Sequence, residues 1–475
     1  MLLQFTVENY LSFDEEATFS LLATGDKDHP RHVIAGNPPT LRGAAIYGAN
    51  ASGKSNLIAA MEFSRRLILR GVRPGQSIGV RPFAVGNSEK KPSRFEWIFR
   101  HGGRVWSYLI EAEPARVVAE SLYMRDENGT RDALIFERTA GETGGVEFGA
   151  KFRGPQRGKR AQFLDFVAKG CRPEQPFLSE AKERNVEGLD TVQDWFETVL
   201  HIVPTGSLLK NLGGLLTYRA EILDFLSDFL KFADVGIECL VLERQPLCLE
   251  ELPSWIEEED FNRMSADFEA QPEGVAVFQP GGVFAAPRMV QRDESGAMWL
   301  IVPKARHRNV NGEARDFPFE WESAGTRRLL HLGPWLFRLR SMPTVLIIDE
   351  LDQHLHTLLT REFVRLAFDA KREAAGQLIL TTHDTNLLDK DLLRRDEIYF
   401  VTKGKGGASR LRSLAEYKVR GDLVYEKGYL LGRFDAIPTF WGIERLLRDG
   451  ESSNGSKAED SPATATETAN AEVTA

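Results

Sequence analysis

The feature that most constrains this chain is a glycine-rich octet, G-A-N-A-S-G-K-S, at residues 48–55. It lies between a short apolar segment, 44–47, and a stretch with helical apolar periodicity, 56–69. A loop of this kind between a strand and a helix surrounds phosphate oxygens with backbone N–H groups and the helix N-terminus. Lys54 adds a cation at the β- and γ-phosphates, and the Ser55 hydroxyl adds a ligand for Mg²⁺. The alternative is a glycine turn that binds nothing, but the flanking strand and helix favour a nucleotide site.

Composition limits the classes to which the chain can belong. Its 475 residues suggest two or three domains, and 42% apolar with 27% charged residues is typical of a soluble globular protein. The formal charge of −9 argues against general coating of nucleic acid but allows a local basic face. Cys171, Cys239 and Cys248 form no C-x-x-C pair, so neither a disulfide framework nor a cysteine zinc site is expected. No apolar run approaches the ~20 residues that span a bilayer, which predicts a cytoplasmic protein with no membrane partner.

Two later strands end in polar side chains. The segment 345–350 is an apolar strand followed by Asp349 and Glu350. Asp349 would hold Mg²⁺, while Glu350 would orient and deprotonate the attacking water. The segment 377–383 is a second buried strand and ends in His383, which we interpret as a γ-phosphate sensor at the ligand-binding edge of the sheet. The alternatives are a solvated strand end and a structural histidine.

A fourth signal is E-S-A-G-T-R-R at residues 322–328, at the start of a helical stretch. Ser323 suits a helix N-cap, which is the ordinary interpretation. Its position shortly before the acidic strand suggests a second role. Together with Gly325, it would bind the γ-phosphate of a nucleotide held by another subunit.

The remaining patterns predict the organisation of the chain. Residues 94–124 read as antiparallel strands, the basic segment 151–160 as an exposed loop, and 250–260 as a solvated acidic segment. From 345 to 400, strands alternate with helices, which indicates a parallel sheet. Further helices are expected at 161–168, 189–200, 217–232, 358–371 and 387–393.

We therefore predict an ATPase that is split in sequence. Its N-terminal half is 1–160, and its C-terminal half is 291–447. Between them lies an inserted, mainly helical lobe, 161–290, and after them a disordered tail, 448–475.

Together with the N-terminal segment F-x-x-x-N-Y-x-S-F at residues 5–13, these motifs resemble the ABC-type ATPase heads of SMC, RecF and overcoming-lysogenization-defect (OLD) proteins. Within that group the chain is similar to AAA-family ATPases of bacterial anti-phage loci, such as the ATPase of the PARIS system and those beside RloB-like nucleases. The resemblance covers about residues 1–160 and 290–445. It implies an α/β P-loop NTPase of the ABC-ATPase type, with a mixed sheet flanked by helices, an antiparallel β subdomain and an inserted helical lobe.

The resemblance also implies that two heads sandwich two ATP molecules, with the octet of one facing Ser323 and Gly325 of the other. Lys54, Glu350 and His383 are then the catalytic residues. The resemblance assigns phosphate binding to Gly48, Asn50, Ser52, Gly53 and Lys54, Mg²⁺ binding to Ser55 and Asp349, general base catalysis to Glu350, the switch to His383 and the D-loop position to Asp352. Two departures matter: Leu11 stands where SMC-like heads often carry a cation, and Gln76 is only a candidate for the Q-loop glutamine.

The predicted function is an Mg²⁺-dependent ATPase that forms a homodimer or higher oligomer around ATP. It would regulate a toxic effector, such as a Toprim or RloB-like nuclease, with DNA or a phage protein as trigger. The alternative is an ATP-gated scaffold, or a DNA-repair ATPase of RecF or SMC type, with little turnover. The long separation of Ser55 from Ser323 disfavours a transporter subunit, and the lack of heptads disfavours a long-armed SMC protein. A nuclease is expected from a partner chain, because only the tail follows residue 447. The basic segments 151–160 and 304–308 are candidates for phosphate contacts, with solvated loops as the alternative.

Overall fold

The computed structural model forms one contact unit over Met1–Ile437. It describes residues 1–86, 91–126, 129, 131–140, 145–206, 220–248, 256, 258, 261–262, 265, 275–278, 288–368, 376–404, 406–418 and 424–437. The predicted tail, 448–475, lies outside the described residues, as does almost all of the acidic segment 250–260. No helix within the described ranges is long and apolar enough to cross a membrane.

The strands are numbered in chain order. They are β1 Leu2–Glu8, β2 Ala17–Ser20, β3 Val33–Ile34, β4 Thr40–Leu41, β5 Gly43–Tyr47, β6 Ser93–His101, β7 Arg104–Glu113, β8 Arg116–Asp126, β9 Ala133–Thr139, β10 Val146–Phe148, β11 Leu200–Val203, β12 Cys239–Leu247, β13 Val275–Phe278, β14 Arg288–Arg292, β15 Met298–Arg308, β16 Ala314–Pro318, β17 Val345–Ile348, β18 Gln377–Thr381, β19 Ile398–Lys403 and β20 Ser409–Ser413.

The helices are numbered in the same way. They are α1 Lys54–Arg70, α2 Ala150–Arg153, α3 Lys159–Gly170, α4 Phe177–Glu183, α5 Asp190–Asp194, which runs into a π-helical turn Trp195–Val199, α6 Ala220–Phe232, α7 Ala324–Ser341, α8 Thr357–Phe368 and α9 Tyr425–Leu430.

A six-stranded sheet in the order β11-β17-β18-β5-β19-β20 carries the polar strand ends. Its first five strands are parallel, and β20 runs antiparallel to β19. Alternate residues of each strand enter different cores: Ala44 and Ile46 pack on the α1 side, whereas Ala45 and Tyr47 pack on the side of α6, α7 and α8. Burial on both faces explains why these strands read as continuous apolar runs.

Two antiparallel sheets accompany the parallel one. The first has seven strands in the order β10-β9-β8-β7-β6-β1-β2 and contains the predicted strand region 94–124. The second has the order β12-β15-β14-β13, with β16 paired to β15. The predicted α/β class, with a mixed sheet and an antiparallel β region, is confirmed.

The structure differs from the prediction of a mainly helical lobe at 161–290. The segment contributes β11 to the parallel sheet and β12 to the second antiparallel sheet. The helices α3 and α4 and the π-helical turn pack in the same core as α1, where Trp195 stacks on Phe99 with ring centroids 4.0 Å apart. Helix α6 packs in the core on the other face of the parallel sheet. The boundaries of an insertion stay a prediction.

Two local predictions were wrong. Residues 387–393 form no α-helix, because the Asp384 side chain accepts from Asn386 N and that of Asp389 from Asp391 N, which favours turns over a helix. The basic segment 151–160 is not one loop, since α2 and α3 cover its ends. The Arg160 guanidinium packs over the Phe152 ring, with its carbon 4.7 Å from the ring centroid, and this contact holds the segment in place.

Candidate nucleotide-binding site

The octet 48–55 joins β5 to the start of α1, as the sequence predicts. Gly53 has φ 117°, and a Cβ there would lie 2.2 Å from Ser409 Oγ, so only glycine fits. Lys54 is buried and folds back over the loop, and its Nζ donates to Gly48 O at 2.8 Å and to Ala49 O at 3.3 Å. Asn50 and Ser55 are exposed, so their polar groups are open to a ligand.

Hydrogen-bonded polar side chains from outside the octet hold it in place. Ser409 Oγ lies 2.5 Å from Ser52 O, to which it donates, and 2.7 Å from Ser12 Oγ. Asn56 Nδ2 donates to Ser12 Oγ at 2.8 Å. Ser12 belongs to the N-terminal segment 5–13, and its backbone carbonyl also accepts from Ser409 N at 2.6 Å. The N-terminal segment and β20 therefore fix the shape of the phosphate loop.

The acidic pair follows β17, with β18 on one side and β11 on the other. Asp349 is buried, and each carboxylate oxygen accepts from a threonine hydroxyl. Thr381 Oγ1 donates to Oδ1 at 2.5 Å, and Thr205 Oγ1 donates to Oδ2 at 2.7 Å. The carboxylate is thus held in one orientation from both neighbouring strands.

Glu350 has a left-handed backbone with φ 52°, which is rare for a residue with a side chain and typical of functional sites. Its N–H donates to Thr381 Oγ1 at 2.8 Å, and its carbonyl accepts from the Arg328 guanidinium at 3.2 Å. Arg328 lies on α7, so this helix contacts the acidic loop directly. On the neighbouring strand end, the His383 N–H donates to Asp352 Oδ2 at 3.3 Å.

The predicted charged residues lie close enough to affect one another's pKa. Burial lowers the pKa of Lys54, and the carboxylates of Asp349, Glu350 and Asp352 oppose that shift. Burial and then the Lys54 cation lower the pKa of His383, and the same three carboxylates oppose it. A neutral imidazole at neutral pH can donate and accept hydrogen bonds, which a phosphate sensor requires.

Residues 44–389 match the family described as "AAA domain, putative AbiEii toxin, Type IV TA system", and this range includes the octet, the acidic pair and His383. The chain belongs to this AAA-domain family. No curated protein sequence gives a significant match.

Three solved structures similar to this AAA-domain protein are SMC heads. The SMC head domain from Thermotoga maritima is 13% identical with a TM-score of 0.36, covering 87% of this chain and 98% of that one. An Smc head bound to the C-terminal winged-helix domain of ScpA is 15% identical with a TM-score of 0.34, covering 87% and 97%. An Smc head with an extended coiled coil, bound to the C-terminal domain of ScpA from Pyrococcus furiosus, is 13% identical with a TM-score of 0.32, covering 91% and 98%.

The donor set of this AAA-domain protein fits Mg²⁺. Mg²⁺ is usually held by one or two protein oxygens plus phosphates and water, and Ser55 and Asp349 would supply those oxygens. Each carboxylate oxygen of Asp349 accepts one threonine hydroxyl and keeps a further acceptor position. Among the described residues no group of three or more His, Cys, Asp or Glu side chains is arranged to hold a metal without phosphate.

Ser323 and Gly325, called the signature residues below, lie at the N-terminus of α7. Ser323 Oγ accepts from Thr326 N at 3.1 Å, so its N-cap role is present. A Cβ on Gly325 would lie 2.8 Å from His354 O, so the glycine lets α7 approach the loop after the acidic pair. None of the contacts recorded for the described residues joins Ser323 to the octet of the same chain, so its role toward a second subunit stays a prediction.

Sequence reasoning missed four side chains of this site: Thr205, Thr381, Ser409 and Arg328. Thr381 and Arg328 lie within motifs that the sequence marks, but nothing in those motifs indicates their partners. The Q-loop candidate Gln76 lies in an exposed turn between α1 and β6. The strands that flank β17 are β11 and β18, and neither carries Gln76.

The basic segments 151–160 and 304–308 form ion pairs within the protein. Each cation of the 304–308 cluster pairs with an acid: Lys304 with Glu243, Arg306 with Asp316 at 2.7 Å, and Arg308 with Glu238 at 2.7 Å. In the 151–160 segment Arg153 pairs with Asp165 at 2.7 Å. These pairs favour structural roles for the cluster at 304–308 and for part of the segment 151–160.

Proposed function

We propose that this AAA-domain protein binds Mg²⁺–ATP and hydrolyses it. The proposal rests on one observation above all: the octet after β5, the acidic pair after β17 and His383 after β18 lie at the same edge of three adjacent strands. Ligands bind at this edge in open α/β sheets. The electrostatic coupling of Lys54 to Asp349, Glu350 and Asp352 supports a single site.

In the proposed mechanism the backbone N–H groups of the octet hold the phosphates, and Lys54 leaves the carbonyls of Gly48 and Ala49 for the β- and γ-phosphate oxygens. Ser55 and Asp349 would hold Mg²⁺, which would neutralise negative charge on the phosphates. Glu350 accepts the proton of the attacking water, and His383 contacts the γ-phosphate. The two hydrogen bonds of the Glu350 backbone would fix its position, so that its carboxylate stays directed at the attacking water during turnover.

A steady-state phosphate-release assay with and without Mg²⁺ tests this function. The wild type should release phosphate only with Mg²⁺, and Lys54→Ala should neither bind nucleotide nor release phosphate. Phosphate release by Lys54→Ala at the wild-type rate would contradict the site, and a wild type that binds ATP but releases no phosphate would contradict the reaction.

We further propose that two subunits close around two ATP molecules, with Ser323 and Gly325 facing the partner's nucleotide. The exposed Asn50 and Ser55 and the helix N-terminus at Ser323 support this arrangement. Light scattering on Glu350→Gln should detect an ATP-dependent dimer that Ser323→Arg prevents. Ser341→Arg, at the other end of α7, is the matched control and should still dimerise. An identical mass with and without ATP would contradict the proposal.

The proposed biological role is regulation of a toxic effector, such as a Toprim or RloB-like nuclease, in anti-phage defence. Support comes from the resemblance to anti-phage ATPases and from the family description, which names a toxin and a toxin–antitoxin system. Pull-downs from native host extract, with Glu350→Gln plus ATP against Lys54→Ala, should enrich a nuclease only with the first variant. Enrichment of no nuclease by either variant would contradict this role.

An ATP-gated scaffold with little turnover, including a DNA-repair ATPase of this kind, is the competing function. It predicts the same nucleotide-dependent dimer but makes hydrolysis incidental. The rate at which the partner protein dissociates distinguishes the two functions. If this rate is the same in Glu350→Gln as in the wild type, the scaffold is favoured over a cycle driven by ATP hydrolysis.

A nucleic-acid trigger has one specific observation in its favour. Phe163 and Phe166 are 41% and 65% exposed on α3, and Lys159 and Lys169 flank them at helical spacing. Exposed aromatic rings with cations suit stacking of unpaired bases. Replacing both phenylalanines with alanine should weaken binding of single-stranded DNA about tenfold or more. Leu358→Ala, which removes an exposed apolar side chain elsewhere, should not; equal loss in both variants would contradict a base-stacking face.

A further inference from the structure

Thr205 lies just after the edge strand β11, and its hydroxyl bonds to Asp349, the first residue of the acidic pair. Its Oγ1 donates to Asp349 Oδ2 at 2.7 Å, and Asp349 N donates to Val203 O at 3.0 Å. Thr205 itself is exposed, whereas Asp349 is 4% exposed. An exposed threonine contributes little packing, so its hydrogen bond to a buried carboxylate is the interaction that distinguishes it.

The orientation of Asp349 needs both of its threonine partners. Thr381 Oγ1, on β18, fixes Oδ1 from one side, and it also accepts from Glu350 N. With Thr381 alone, a single hydrogen bond would restrain rotation of the carboxylate about its last side-chain bond. Thr205 fixes Oδ2 from the other side, and each oxygen retains one acceptor position for a ligand.

We propose that Thr205 is a positioning residue that holds the Asp349 carboxylate for Mg²⁺, so that the segment 200–206 takes part in the nucleotide site. This inference rests on the proposed function, since Mg²⁺ enters with the nucleotide. Side chains that orient metal-binding carboxylates typically change metal affinity or activity 10- to 100-fold when they are removed.

The edge strand also links the site to α7. The His201 ring on β11 lies 5.0 Å from the Trp335 ring on α7, and α7 begins at the signature residues. β11 pairs with β17 over four residues, Leu200 to Val203, at the edge of the sheet. A shift of α7 would therefore reach Thr205 through this short strand.

The test compares Thr205→Val with Thr205→Ser and measures binding of a fluorescent ATP analogue while Mg²⁺ is titrated. Valine keeps the shape without the hydroxyl, and serine keeps the hydroxyl. Thr205→Val should raise the Mg²⁺ requirement about tenfold with unchanged metal-free nucleotide affinity, and Thr205→Ser should stay within about threefold of wild type. Thr198→Val is the matched control, because it removes a threonine–aspartate hydrogen bond to Asp194 just before β11.

Two results would overturn the proposal: a Thr205→Val protein with the wild-type Mg²⁺ requirement, or equal impairment in the valine and serine variants. A Thr198→Val protein whose Mg²⁺ requirement rises to the same extent would also overturn it. Phosphate release is measured in parallel. If wild type binds Mg²⁺–ATP but releases no phosphate, the proposed ATPase reaction fails while the Mg²⁺ titration still decides the role of Thr205.

Discussion

Ser409 shows how one side chain remote in sequence supports the phosphate loop. It lies on β20, yet its hydroxyl reaches the Ser52 carbonyl, and its Cβ would be 2.9 Å from a Cβ on Gly53. The hydroxyl is also within 2.7 Å of Ser12 Oγ, so the N-terminal segment shares the contact. The geometry of the loop is therefore set partly outside its own motif.

Removing this hydroxyl should weaken nucleotide binding without unfolding the protein. Ser409→Ala loses the hydrogen bond to Ser52 O, and a net cost of ~1 kcal/mol corresponds to about fivefold in affinity. Equilibrium binding of a fluorescent ATP analogue measures the change. Ser77→Ala, at an exposed position, is the control and should bind like wild type; the same affinity in Ser409→Ala would contradict the supporting role.

At the residue scale, candidate site residues can be predicted from sequence when they stand in one contiguous motif. The octet and the acidic pair are such runs, and the structure places Lys54, Asp349, Glu350 and His383 in one charged cluster. Ser409 was not predictable, because a serine on an edge strand carries no signal until β19 and β20 fold back beside β5. The roles assigned to these residues stay predictions.

Strand β11 carries a histidine whose environment makes the free energy of unfolding depend on pH. Burial, followed by the Arg338 cation, lowers the pKa of His201 to about 4, while an unfolded histidine titrates near 6.5. Between these values the unfolded chain binds the proton and the folded chain does not, so the free energy of unfolding falls as pH drops from about 6.5 towards 4. Above about 6.5 the contribution of His201 is fully present.

Replacing this histidine should reduce the acid sensitivity of the fold. From about pH 7.5 to about pH 5, His201 should cost on the order of 1–2 kcal/mol, and His201→Gln should recover most of that part. Urea unfolding at the two pH values measures the difference. His356→Gln, at an exposed histidine, should keep the wild-type loss. If His201→Gln loses as much stability as wild type on acidification, the half-buried neutral histidine is not the cause.

At the element scale, periodicity predicts α1, α3 and β17 well because their apolar spacing matches their burial. It fails at 387–393, where aspartate side chains bond to nearby backbone N–H groups and form turns. It also misses β11, since a four-residue strand after a π-helical turn has too few residues to carry a period.

For the whole molecule, Gln377 joins the two main sheets. It is fully buried on β18, and its Oε1 accepts from Leu2 N at 2.6 Å. Its Nε2 donates to Leu2 O at 3.0 Å and to Leu41 O at 2.8 Å. One amide thus bonds to three backbone groups, two on β1 and one on β4.

Gln377→Ala should be strongly destabilising, because it leaves those buried groups unpaired. We expect a loss of roughly 3 kcal/mol in the free energy of unfolding, measured by urea denaturation. Gln162→Ala, at an exposed position on α3, is the control and should change stability by less than about 0.5 kcal/mol. Equal stability of the two variants would contradict the link between sheets.

The packing of the segment 161–290 is the part of the molecule that the sequence does not show. A change from strand to helix signals suggests a separate lobe, but Trp195 and Phe196 pack on Trp97 and Phe99 of β6. Such contacts join positions far apart in sequence, so neither composition nor periodicity contains them. Only the packing reveals that α3, α4 and the π-helical turn share a core with α1 and β6.

The central claim is that Glu350 is the base of an ATP-hydrolysing site. The most direct measurement compares ATP binding and phosphate release for wild type and Glu350→Gln in the same preparation. We predict that Glu350→Gln binds Mg²⁺–ATP within about threefold of wild type and releases phosphate at least about 100-fold more slowly. A wild type that releases phosphate no faster than Glu350→Gln, or a variant that no longer binds ATP, would contradict the claim.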